Sequence, residues 1–180
     1  SGKQNAAQSK SSTNKVYIVC TKEQLDENSS LMIFSLIDKL SAELSVAKDI
    51  EQKKSLLMRR AIAHSVLRDF EAAISDFTYY ISLDEKSSLA YWQRAVCQAE
   101  MDEFNRAEGK GITNIHSAEA DFSDAIRLNS NNAYIYYNRG NVHAGRNELS
   151  KAIDDYSIAI RIDSRLAEAY YNRGLGRIKS

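Results

Sequence analysis

AYWQRA (Ala90–Ala95), IYYNRG (Ile135–Gly140) and AYYNRG (Ala169–Gly174) superimpose on one another almost residue for residue. A degenerate fourth copy, SLLMRRA, ends at Ala61. The spacing is 34 residues from Ala61 to Ala95 and again from Gly140 to Gly174, while Ala95 to Gly140 is 45, the same period plus an 11-residue insertion. A fixed period of this size means stacked copies of one supersecondary unit, each unable to bury its apolar face alone. Every helix and turn of the chain is placed outward from that phase.

The apolar residues between the copies recur at three- and four-residue steps, the period of amphipathic helices. A first helix runs from about Ile50 to Leu67, Asp69 marks a turn, and a partner helix carries Ala73, Ile74, Phe77, Ile81 and Leu83. Ser87-Ser88 opens the second unit, whose first helix reads through Met101 and whose partner ends at Leu128. Asn129–Asn132 is a cap cluster, the third unit closes at Ile162, and Arg165 to Lys179 is a last helix with no partner behind it. Upstream, Ile33, Ile37, Leu40, Leu44 and Ala47 make one more amphipathic helix. The domain reading is a flexible tail over 1–20, an N-terminal capping helix region over 21–53, units at 54–87, 88–132 and 133–166, and an unpaired helix over 167–180.

Each unit pairs small residues with aromatics at fixed offsets. Leu57, Tyr91, Tyr136 and Tyr170 stand four residues before Ala61, Ala95, Gly140 and Gly174, and Ala73, Ala118 and Ala152 stand four before Phe77, Phe122 and Tyr156. Small residues let paired helices approach closely, and the aromatics fill the space beside them. On these residues the chain resembles the tetratricopeptide repeat family over about 54–179, departing from it in the absence of proline at unit boundaries. The resemblance implies an all-α fold, a right-handed α-solenoid of helix–turn–helix repeats, with protein–protein interaction as its work. The upstream helix matches no repeat and is expected to cap the stack.

Composition narrows the alternatives. Hydrophobic residues at 43% and charged residues at 27% are globular values. Lys+Arg and Asp+Glu balance at 24 each, so no whole-molecule field draws in nucleic acid or an anionic membrane. The longest strongly apolar run, Leu31–Ile37, is far short of the roughly 20 residues a membrane span needs, so no membrane insertion is expected. No secretory signal is visible, but the Ser1-Gly2 start resembles a cleavage scar, and compartment stays open. Cys20 and Cys97 form no disulfide framework, and Cys97 reads as a buried thiol. Val16–Cys20 (VYIVC) has strand character with no partner strand.

Two sets of residues are candidates for function. Arg60, Arg94 and Arg139 recur with Asp76, Asp121 and Asp155, one of each per unit, and the co-occurrence favours interhelical ion pairs over an anion-binding ladder. Arg173 has no aspartate of its own repeat and is expected to be the freest of the four arginines. The resemblance implies that first helices line a concave groove. Its rung is then Met58, Trp92, Tyr137 and Tyr171, flanked by Arg59, Gln93, Asn138 and Asn172 and, one turn on, by Ile62, Val96, Asn141 and Leu175. A Gln93–Asn138–Asn172 amide ladder bonds a peptide main chain without reading its sequence, and flat aromatics add contact at low entropic cost. The expected ligand is an extended, largely uncharged peptide segment of another protein. The competing reading packs the tyrosines between neighbouring helices and leaves the asparagines in water.

Other motifs carry less. Family modules that grip the acidic tails of heat-shock chaperones use a Lys/Asn/Arg carboxylate clamp. The matching positions here are Met58, Ile62, Gln93, Tyr134 and Asn138, or one unit on, Trp92, Val96, Asn138, Glu168 and Asn172, and none is basic. The insertion near 108–117 contains Gly-Lys-Gly but neither the spacing nor the strand of a phosphate loop. It reads as a surface loop, with a specificity loop through Ile112 and Ile115 as the alternative. His64 and His143 are repeat-equivalent and read as packing residues, with no metal site. No catalytic constellation is recognisable, so the reading is a non-enzyme with no cofactor. Two further possibilities stand beside peptide binding: self-association through Tyr171, Leu175 and Ile178 of the last helix, and origin in a longer repeat array. A third has Val16–Cys20 occupying the groove of its own or a neighbouring copy.

Overall fold

The computed structural model describes residues 25–110 and 115–180, without the side chains of Ile115 and His116. The proposed tail, Val16–Cys20 and Ile112 lie outside the described residues. The helices are α1 (Glu27–Val46), α2 (Ile50–Val66), α3 (Phe70–Leu83), α4 (Ser88–Ala107), α5 (Ile115–Leu128), α6 (Ala133–Gly145), α7 (Leu149–Ile162) and α8 (Ala167–Lys179). α2 packs on α3, α4 on α5 and α6 on α7, and each pair stacks on the next, giving an α-solenoid. First helices α4, α6 and α8 also touch one another along one face. No described helix is long and apolar enough to cross a membrane.

Local chemistry fixes the helix ends. Asp26, Asp49, Asp69, Ser87 and Asn132 each accept a hydrogen bond from a backbone N–H in the first turn of the helix that follows, satisfying donors that have no intrahelical partner. The turns inside units 1 and 3 carry Arg68 at φ 61° and Asn147 at φ 63°, equivalent positions where the chain reverses through the left-handed region without glycine. α4 continues to Ala107, six residues beyond the end read from the sequence. Asp102 is fully buried on that extension and Phe104 stacks under the Arg68 guanidinium, so the extra turns have partners of their own.

The cores repeat with the sequence. Ala61, Phe70, Ala73, Phe77 and Cys97 form one cluster, Ala95, Ala118, Phe122, Ala125 and Ile135 join Trp92 in the next, and Ala133, Tyr136, Ala159, Leu166 and Ala169 form a third. The small residue of unit 3 is held to its size by contact: a Cβ on Gly140 would lie 2.7 Å from Tyr156 Cε1 and 3.3 Å from Asp155 Cβ. At Gly174 the same position is open, with nothing within 4 Å of a Cβ. Gly174→Ala therefore stabilises the chain by roughly 0.5–1 kcal/mol, through helix propensity alone. A urea midpoint that falls instead would mean the site is occupied.

α1 differs from the expectation of an unrelated cap. Leu40 and Leu44 of α1 pack with Leu56 of α2. Ser41 follows Leu40 as Thr78 follows Phe77, and each hydroxyl accepts a hydrogen bond from the arginine of the next first helix, Arg60 or Arg94, at 3.0 Å. α1 thus stands in the register of a second helix. Its sequence hides this because Leu replaces the packing aromatic and Lys39 stands where the other units have aspartate.

Candidate functional site

The arginines of the three units are each paired with an aspartate of the partner helix. Arg60, Arg94 and Arg139 each donate through Nε and Nη2 to both carboxylate oxygens of Asp76, Asp121 and Asp155, at 2.7–2.8 Å. These hydrogen bonds raise all three guanidinium pKa values, against the opposing effect of burial. Arg94 and Arg139 also lie over the rings of Tyr91 and Tyr136, one turn back, at 5.7 and 5.8 Å. With the third nitrogen of Arg60 and Arg94 on a hydroxyl of the preceding unit, each of these two braces three helices. A planar five-donor group suits this; an ammonium does not. Arg173 repeats the stacking on Tyr170 at 5.5 Å and donates to Ser157 Oγ at 3.4 Å, so it is not loose, but no carboxylate among the described residues pairs with it.

Between α4, α6 and α8 lies a cleft of about 460 Å³ lined by Val96, Tyr137, Asn138, Asn141, Val142 and Asn172. Its floor is a hydrogen-bond network. Burial pushes the Tyr156 phenol well above its ordinary pKa, so it stays protonated. It donates to Asn141 Oδ1 at 2.9 Å, and Asn172 Nδ2 donates to the same oxygen at 2.9 Å. Tyr137 rests at 45° and 6.0 Å from the Tyr156 ring, with its hydroxyl 3.4 Å from Asn172 Nδ2. The C-terminal half of α4 lines the cleft with charged side chains, Glu100, Glu103 and Arg106.

The structure divides the proposed groove residues. Tyr137, Asn138, Asn141, Val96 and Asn172 come together in the cleft. Tyr171 is 68% exposed on the same helix as Asn172, and Leu175 is exposed one turn on. Trp92 and Gln93 are corrections: they are only 4% and 7% exposed. Trp92 is stacked under Tyr134 at 6.5 Å, because α6 crosses close enough for Tyr134 and Ile135 to close over it. The continuous ladder through Gln93 is therefore broken, and Asn172 is already committed to Asn141. Met58 and Ile62 are half-buried against the first core cluster, while Arg59 is exposed. A second recess of about 440 Å³ lies at the opposite edge, between Trp92, Tyr134, the Asn129–Asn132 turn and the Asp163–Arg165 turn. The Trp92 indole N–H has no hydrogen-bond partner among the described residues.

The sequence reading missed two features. His64 Nδ1 lies 3.0 Å from Asp69 and the buried His143 Nδ1 lies 2.8 Å from Glu148, so both brace a turn through polar contacts rather than packing alone. Their shared five-residue spacing to a carboxylate was the available signal. The Asn141–Asn172–Tyr156 network spans three helices and leaves no local pattern. No group of His, Cys, Asp and Glu among the described residues is arranged to hold a metal ion.

Comparison with known proteins agrees with this architecture. A family model described as TPR repeat matches residues 145–175. No curated protein matches the chain. Among solved structures, MamA is similar at 21% identity and TM-score 0.70, over 87% of this chain and 85% of that one. YrrB, described as a TPR protein with an unusual peptide-binding site, is similar at 17% identity and TM-score 0.67, over 82% of this chain and 69% of its own. The first TPR of Spaghetti (RPAP3), bound to the HSP90 peptide SRMEEVD, is similar at 20% identity and TM-score 0.60, over 71% of this chain and 92% of that one. At these identities the likeness is one of fold.

Proposed function

We propose that this chain, a tetratricopeptide repeat protein by its fold and by the repeat model over 145–175, is a scaffold that holds an extended, largely uncharged peptide segment of another protein along α4, α6 and α8. The observation that carries the reading is the cleft itself: Val96 and Ala99 of α4, Tyr137, Asn138 and Asn141 of α6 and Asn172 of α8 line one space between three successive first helices. An amide presents a donor and an acceptor together, which suits a main chain. The aromatic surface of Tyr137 and Tyr171 supplies contact area with few rotors to freeze. Two structural relatives are described with peptide sites of their own. The acidic chaperone-tail mode is disfavoured here, because the clamp positions carry no basic residue and the cleft wall carries Glu100 and Glu103.

Selection from a random-sequence peptide library on the immobilised chain tests this. Asn138→Ala/Tyr171→Ala removes two groove side chains that are not in the core, so folding is retained. Selected peptides are expected to bind the double variant at least about tenfold more weakly, a loss of about 1.4 kcal/mol. Equal affinity for both proteins would place binding outside the groove.

A further inference from the structure

Charge is not spread evenly around the cleft. Its lining is neutral on α6 and α8, where Tyr137, Asn138 and Asn172 stand, and acidic on α4, where Glu100, Asp102 and Glu103 stand. Val96, Glu100 and Glu103 follow one another at steps of four and three residues, so they run as one stripe along the helix. Glu100 is half-buried and Glu103 exposed, so a ligand in the cleft can reach both. Arg106 is the one cation lining the cleft among the described residues, and its Nη1 lies 3.5 Å from the carbonyl oxygen of Gly145. Arg94 and Arg139 are paired with Asp121 and Asp155, and Arg173 lies over Tyr170. Gly145 is the last residue of α6 and Arg106 stands in the last turn of α4, so the cleft also meets the negative ends of two helix dipoles.

Resting on the peptide reading of this cleft, we propose that the bound segment, otherwise uncharged, carries one lysine or arginine whose side chain lies along α4. Its aliphatic stem rests on Val96 and Ala99, and its charged head meets Glu100 and Glu103. Lysine and arginine suit such a surface because they bury an apolar stem while the cation stays at the edge in water. Three carboxylates against one guanidinium leave the lining net negative, so an acidic side chain is repelled at the same place. Asp102 is fully buried, so it adds to the field without touching the ligand. Charge of this kind governs which segments are accepted more than how tightly they are held.

The probes are peptides selected on the immobilised chain from the random-sequence library, resynthesised with a fluorophore and titrated by anisotropy. Lysine or arginine is expected at one fixed position of the selected sequences. Glu100→Gln/Glu103→Gln keeps size and removes charge from two side chains outside the core, so its helical circular dichroism is expected to match wild type. Binding of a selected peptide is expected to weaken on the order of fivefold, the size of one partly exposed ion pair. The same change is expected to cost the peptide's lysine-to-glutamine analogue less, so that the two losses do not add. Raising the salt is expected to narrow the gap between peptide and analogue. Selected sequences without a basic residue, or a double variant that weakens peptide and analogue equally, would overturn the proposal and leave the groove reading intact. An analogue that binds the wild-type chain as tightly as its parent would do the same with no change to the protein. Retention of no peptide by the wild-type chain would overturn both.

Discussion

Gly140→Leu unfolds α6, α7 and α8 ahead of the rest of the solenoid. Even a Cβ at this position would sit 2.7 Å from Cε1 and 2.9 Å from Cδ1 of Tyr156, a ring that is itself fully buried. The ring has no free space to retreat into, because its hydroxyl is tied to Asn141 and its other face carries Tyr137. Overpacking of a tight core costs about 1–3 kcal/mol for added methylenes, and a whole isobutyl group wedged between two helices belongs at or above the upper end. Repeat arrays lose stability locally, since each unit contacts only its neighbours. Urea unfolding followed by amide exchange is expected to show a destabilisation of about 3 kcal/mol, with protection lost first in α6–α8 and retained in α2–α3. An unchanged melting temperature with a single cooperative transition would mean that the α6–α7 contact is not as close as described.

Arg139→Met has a comparable effect by a different route. The Asp155 side chain is 4% exposed, and its hydrogen-bond partners are the two guanidinium nitrogens, with His143 Nε2 further off at 3.7 Å. Removing the arginine leaves a buried carboxylate without its counter-charge, which costs about 3 kcal/mol or more. Arg139→Lys is expected to recover only part of this, because an ammonium cannot make the bidentate contact or lie flat on Tyr136. Arg139→Met/Asp155→Leu is expected to be more stable than Arg139→Met alone, since the stranded charge is gone. A single variant within a few tenths of a kcal/mol of wild type would show the pair to be exposed in solution.

The fold was legible because its period is written in residues that have no freedom to vary in size. Ala61, Ala95 and Gly140 sit against the partner helix, and the caps at Asp69, Ser87 and Asn132 are short polar side chains at turn positions. The identity of α1 was not legible, since Leu40 and Lys39 replace the two residues by which a second helix is recognised, and only the Ser41–Arg60 hydrogen bond reveals the register. α4 continues past Met101 to a point where Phe104 meets Arg68, a contact between helices that spacing along the chain does not show. Groove residues were harder than core residues for a physical reason. Sequence spacing gives the helix face on which a side chain starts but not how close the next first helix passes. At Trp92 it passes close enough to bury the ring, while at Tyr171 the ring is left in solvent.

The groove reading is tested most directly by mapping a library-selected peptide onto the folded chain through backbone amide chemical shifts. The account predicts perturbations confined to α4, α6 and α8, centred on Val96, Asn138, Asn141 and Tyr171, with α3, α5 and α7 unmoved. Perturbations concentrated on α3, α5 and α7, with those four residues unchanged, would contradict it.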